Sequence, residues 1–235
     1  MSTAAEFDTY TPRPRYECTR GGVYHIGIKT DKEGNTSETP PVWLSDPIRL
    51  IGRGTDGAGS HYRIIEWKDR LTGAAKQAAV PAAEIGSVQG WQRLQSYGLT
   101  ILSGRAKRER LADYLQTEGE NTHYAVTARA GWHDKAYILP SGEVIRPDNA
   151  EAGRVIYNGD KSQAHAYEAA GTAQEWNAEI GQYLTGNSRL CLAVGTALAA
   201  PLIGLLNMEA GGFHLFGDSR DGKSTAARIA LSIWG

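Results

Sequence analysis

Residues 217–224 read Gly-Asp-Ser-Arg-Asp-Gly-Lys-Ser, a G-x-x-x-x-G-K-[ST] pattern that restricts the fold of this chain more than any other stretch. The pattern belongs to a loop that leaves a strand and opens a helix. Gly217 would let the backbone turn out of the strand through a conformation closed to other residues. The amides of residues 219–224 would then converge on an anion at the positive end of the helix that follows. Gly222 permits close backbone approach, Lys223 offers a point charge to the β and γ phosphates of a nucleotide, and Ser224 offers its hydroxyl to Mg²⁺. Asp218, Ser219, Arg220 and Asp221 form the body of the loop, and Thr225 would lie near the α phosphate. The flanks agree with this reading. "FHLF" (213–216) is strand-like, and "STAARIALSIW" sets Ala226, Ile229, Ala230 and Ile233 on one helical face. ATP with Mg²⁺ is the ligand pair these residues predict.

A serine hydrolase could in principle use the same turn, with Ser219 as the nucleophile of an elbow. That elbow needs glycine where the chain has Asp221, and an acid and a histidine after the serine. Neither follows Asp221 in this sequence, so the hydrolase reading fails for want of parts.

The rest of the chain supplies context for the loop. Its 235 residues give room for one large or two ordinary domains with a real apolar core. A formal net charge of −1 exerts no global pull toward nucleic acid or an anionic membrane. Cys18 and Cys191 lie far apart and show no metal spacing, so a reduced, cytoplasmic protein is expected. No secretory signal opens the sequence. The uncharged run 190–206, "LCLAVGTALAAPLIGLL", falls short of a comfortable bilayer span and runs into the loop's strand, so it predicts a buried core helix and no membrane partner.

The expected architecture is an α+β N-terminal module followed by helices and the strand–loop–helix start of an α/β P-loop NTPase domain. Residues 1–14 read as a loose tail, 15–165 as the α+β module, and 166–235 as a helical lead-in plus the phosphate loop. "VYHIGIKT" (23–30) reads as a strand, and "HYRIIEW" leads into a hairpin around Thr72-Gly73. Ser87 can cap a helix ended by Gly98, and Ser103 a second ending near Gly119. A further hairpin turns at Ser141-Gly142. Thr172 and Glu175 form a capping box, Asn187 caps the apolar helix, and Pro201 should kink it.

Beyond the generic loop, "WNAEIGQYLTGNSRLCLAVGTALAAPLIGLL" followed by "GGFHLFGDSRDGKSTAARIALSIWG", with "AGWH" at 130–133, resembles domain-of-unknown-function family 927. These are the predicted ATPase domains of Cch-like helicases and of primase-helicases of phages, plasmids and chromosomal islands. The likeness runs from about Tyr16 onward. It implies ATP contacts at Gly217 through Thr225, "HLF" as the central strand of a RecA- or AAA-like sheet, and a parent protein that works on DNA, as a homo-oligomeric ring. Arg220 and Asp221 stand where smaller polar residues are usual, which would tune phosphate affinity down. The acidic and water-polarising residues of such motors lie downstream of their loop, so the chain reads as the N-terminal part of one, truncated after the loop's helix. The alternative is a non-catalytic module that binds DNA or a replication partner and keeps a vestigial nucleotide loop.

The densest basic cluster, "GRAKRER", offers Arg105, Lys107, Arg108 and Arg110 to a nucleic-acid backbone, although Glu109 and Asp113 dilute it. Trp43, Trp67, Trp91 and Trp132 could stack bases, but each sits in an apolar context that favours core packing. The six histidines show no ligand spacing.

Overall fold

The computed structural model describes residues 13–146, 153–162 and 164–235. The chain forms two compact units, the first ending at Val126 and the second running Thr127–Gly235. Within the second unit the Trp132 indole Nε1 donates to the Pro201 carbonyl at 2.6 Å and ties the "AGWH" hairpin to the helices that follow. The tail expected over 1–14 lies almost wholly outside the described residues.

In the first unit β1 (Arg15–Thr19) and β2 (Gly22–Ile26) pair antiparallel. The strand expected over 23–30 breaks at Gly27. Its second half, β3 (Ile28–Thr30), makes a separate hairpin with β4 (Thr36–Glu38). Next, β5 (Val42–Ser45) adds to the other side of β2. The meander β6 (Arg49–Thr55), β7 (His61–Lys68) and β8 (Ala75–Pro81) follows, and the β7–β8 turn carries Gly73 at φ +70°, as the sequence predicts. Asp69 holds that turn by accepting from the amides of Leu71 and Thr72 at 2.9 Å each.

Helix α1 (Val88–Ser96) starts at Ser87, whose hydroxyl accepts from the Gly90 amide, and the chain leaves it through Gly98 at φ +83°. Helix α2 (Arg105–Thr117) is capped differently from expectation. Its N-cap is Gly104, with no side-chain cap, and Ser103 stays outside. After α2 the chain turns through Gly119 into β9 (His123–Thr127), which lies parallel to β6 with Arg53 opposite His123 and Thr55 opposite Ala125.

The core of this unit gathers Val23, Leu44, Leu50, Ile65 and Val80 from the sheets, and Ile48 from the connection between β5 and β6, against Trp91, Leu94, Leu111 and Leu115 from the two helices. Each such side chain contributes on the order of 1.5–3 kcal/mol by leaving water. Tyr114 is buried among them and donates from its hydroxyl to the Ile48 carbonyl at 2.6 Å. Burial pushes that hydroxyl's pKa well above the ordinary tyrosine value. Arg63 is also buried; desolvation, with Arg53 nearby, holds its guanidinium below the usual arginine range.

The second unit opens with β10 (Gly131–His133), β11 (Ala136–Ile138) and β12 (Val144–Ile145), an antiparallel sheet turning through Gly142 at φ +91°. Strand β13 (Arg154–Tyr157) follows. Helix α3 (Ala173–Glu179) carries the expected capping box, Thr172 and Glu175 serving each other's amides. It gives way to a 3-10 turn over Gly181–Leu184. Asn187 caps α4 (Ser188–Leu205) by accepting from the Leu190 amide at 3.2 Å. Helix α5 (Lys223–Leu231) follows the loop.

Helix α4 departs from the buried core helix that its composition predicts. It packs on α5 and β10, yet Val194 is its buried residue, and Leu198, Leu202 and Leu205 are each half or more exposed. By length and composition it is a helix apolar enough to cross a membrane.

Pro201 lies inside α4 and cannot donate to the Ala197 carbonyl one turn back. The Trp234 indole supplies the missing donor, from Nε1 to Ala197 O at 3.2 Å. Trp176 Nε1 donates to Ser232 Oγ at 2.9 Å, so two tryptophans fix the end of α5 against its neighbours. Trp234→Phe keeps an aromatic ring, smaller than the indole, and removes the donor. It is expected to lower unfolding free energy by about 1 kcal/mol, read as a lower urea midpoint. An unchanged midpoint would show that the Ala197 carbonyl finds water instead.

Candidate functional site

The residues read as a phosphate loop make a turn directly ahead of α5. Gly217 has φ +151°, so its torsion favours glycine, and a Cβ placed there would lie 2.5 Å from Asp221 Oδ2, a side-chain atom that would have to move aside. Gly222, at φ +77°, is the N-cap of α5 and brings no side chain to the first-turn amides. Those donors stay directed at whatever occupies the loop. Arg220 also adopts the left-handed region, at φ +74°, a conformation that costs a non-glycine residue about 1–2 kcal/mol.

Lys223 is the first residue of α5 and reaches back across the loop. Its Nζ donates to the Gly217 carbonyl at 2.8 Å and to the Asp218 carbonyl. One ammonium thus ties the start of the loop to the start of the helix. Ser224 and Thr225 follow in the first turn, both exposed. Ala226 is buried and anchors the helix on its inner side. The nine predicted residues thus run through the turn 217–222 and into the first turn of α5.

A cavity of about 600 Å³ opens beside this turn. The loop contributes Asp221, Gly222, Lys223 and Thr225. The facing wall comes from Arg189 and Leu190 in the first turn of α4, with Asn187 before them, and from His214, Leu215 and Phe216 ahead of the loop. These wall residues are not legible as a site in the sequence. The Asn187 signal is a helix cap, and nothing in the spacing of Arg189 links it to a loop so far along the chain.

One expected element is not formed. Residues 213–216 belong to no sheet among the described residues, and Phe213 and Phe216 are 67% and 87% exposed. A strand exists by virtue of a hydrogen-bonded neighbour, and no described strand pairs with this segment. The loop and its helix are therefore present without the ladder that the α/β start of an NTPase domain would supply.

The basic cluster of α2 is divided. Arg105, 93% exposed at its side chain, pairs with Glu109 at 2.8 Å, and Arg108 donates from Nε to the Leu102 carbonyl at 3.3 Å. At about 100° per residue, Arg105 and Arg108 project well away from Lys107 and Arg110. Glu109 and Asp113 share the solvent face with Arg105. The four cations make no single stripe.

Other candidates have structural partners. Trp67 and Trp91 are buried, Trp67 stacking on Tyr97 at 5.0 Å between ring centroids. Trp43 donates to the Gly21 carbonyl at 3.0 Å. His123 and His133 hydrogen-bond Thr55 and Thr127. Among the described residues, no three His, Cys, Asp or Glu side chains gather as a metal-ligand group.

The chain is a mixed α+β protein whose second unit carries a glycine loop, a lysine and an open helix terminus. The family model described as Domain of unknown function (DUF927) matches residues 16–235, and the chain belongs to that family. No curated protein matches it. Among solved structures, the chain is similar to one described as "SCCmec type IV Cch - active helicase", with a TM-score of 0.61 over 97% of this chain at 20% identity. The chain spans 42% of that structure's length. At this identity the likeness is one of fold.

Proposed function

We propose that this chain is part of a helicase-like protein of a mobile genetic element and that its loop, Gly217 to Thr225, binds ATP with Mg²⁺. The observation that carries the reading is the loop closed by Lys223 between two left-handed glycines, with the uncapped amides of α5 at its mouth. A triphosphate fits this donor set, since it consists of main-chain amides, one ammonium and two hydroxyls. Gly217 leaves the space that a Cβ would fill. Lys223 would exchange its carbonyl partners for phosphate oxygens, Ser224 would offer its hydroxyl to the metal, and Thr225 would bond a phosphate nearer the nucleoside. Bound Mg²⁺ would spread the charge of the β and γ oxygens.

The helicase part of the reading draws on the family and on the fold shared with the neighbouring structure. DNA is the polymer proposed for the whole protein. On this chain the cations of α2 would meet it as scattered charges, with a correspondingly shallow salt dependence.

Calorimetric titration of the full chain with MgATP at low salt is expected to show one saturable site that weakens when the metal is chelated. Absence of both heat and competition against a labelled ATP analogue would overturn the reading.

A further inference from the structure

The loop lines its cavity with less positive charge than a nucleotide needs, because Arg220 is not among the lining residues. Lys223 brings one ammonium, and Asp221 lines the same cavity with a carboxylate. The two nearly cancel at the distances of a binding site. Arg189 also lines the cavity, from the facing wall. Among the described residues its guanidinium has no carboxylate partner and no hydrogen bond within the chain, in contrast to Arg93, which forks onto Glu84 at 2.7 and 2.8 Å. An arginine facing a phosphate loop across a cavity of nucleotide size, with its donors unused, is suited to a phosphate oxygen pair. Guanidinium geometry matches such a pair with two parallel bonds.

We infer that Arg189 is a nucleotide-binding residue, reaching across the cavity to the phosphates of the ligand held by the loop. This rests on the nucleotide reading of Gly217–Thr225 and adds a contact from an element that the loop motif does not contain. The wall on which Arg189 sits also carries Asn187, Leu190, His214, Leu215 and Phe216, and Arg189 is the one guanidinium among the described residues lining the cavity. Arg189 is exposed, and its removal takes no packing from the core.

The test uses the full chain in four forms: the parent, Arg189→Ala, Arg189→Lys and Lys223→Ala. Each is titrated with MgATP and, as a phosphate-only probe, with magnesium tripolyphosphate. Arg189→Ala is expected to lose 10- to 100-fold in affinity for both ligands, the range of a charge-assisted bond. Arg189→Lys should recover part of that loss, because an ammonium cannot make two parallel bonds. Helical circular dichroism should match the parent, and if the alanine variant fails to fold, the lysine variant decides by its intermediate loss.

Parent-like affinity in Arg189→Ala alongside lost binding in Lys223→Ala would overturn this inference and leave the loop reading standing. Loss of MgATP affinity with tripolyphosphate unaffected would overturn the phosphate assignment in favour of a contact to the base. No binding by the parent itself would remove both readings together.

Discussion

Gly119→Ala is expected to lower the stability of the first unit by about 3 kcal/mol. Gly119 sits at φ +90°, where the chain leaves α2 and turns back beneath β6. An alanine Cβ there would lie 2.3 Å from Leu50 Cβ and 2.7 Å from the Leu50 carbonyl oxygen. Neither atom is the far end of a flexible side chain, so the strand itself would have to move. That carbonyl also accepts from the Glu120 amide at 3.0 Å, and the displacement would break the bond. The torsional part alone costs about 1–2 kcal/mol, and the overpacking adds a similar amount.

Gly34→Ala separates the two contributions. Gly34 has φ +87°, with nothing within 4 Å of an added Cβ, so its variant should show only the torsional loss. Urea midpoints of the two variants measure the difference. Equal midpoints would mean that the approach of Gly119 to Leu50 is not tight in solution.

Lys223→Ala is expected to weaken MgATP binding roughly 100-fold, near the upper end for a hydrogen bond to a charged group. The loss has two sources. The ammonium would no longer meet the phosphates, and the bonds to the Gly217 and Asp218 carbonyls that close the unliganded loop would be gone. The second source predicts a signature of its own. Amide hydrogen exchange across 217–222 should quicken in the variant without ligand, whereas exchange in α2 should not change. Full MgATP affinity in Lys223→Ala would reduce the motif to a surface turn.

Much of the local structure was legible because its causes are local. Ser87, the Thr172–Glu175 pair and Asn187 each satisfy amides within three residues of themselves, and each caps the helix expected of it. Gly73 and Gly142 take the positive φ that their hairpins need. The loop glycines behave in the same way, since their torsions follow from the turn they must make. Where a second solution was equally close, sequence reasoning picked the wrong one. Gly104 caps α2 by conformation alone, and the hydroxyl of Ser103 is not used.

Three features had causes far away in the chain. Gly52 is glycine because a Cβ there would meet the Thr122 carbonyl at 2.3 Å, a contact that exists only once β9 lies parallel to β6. The exposure of Leu198, Leu202 and Leu205 depends on which elements pack on α4, and hydropathy records only that the helix is apolar. Arg189 became a site residue through the fold that sets α4's first turn across a cavity from Lys223.

The sequence by itself determined three of the four expected helix caps, the hairpin turns, the glycine–lysine pattern and the family, because each is written in residues within a few positions of one another and acts through torsion or a short hydrogen bond. Only the tertiary structure decided which strand lies beside β6, which face of α4 meets solvent, and which arginine looks into the loop. Those outcomes depend on contacts between segments distant along the chain, and such contacts leave no local pattern, because any apolar or basic residue of suitable size could have made them.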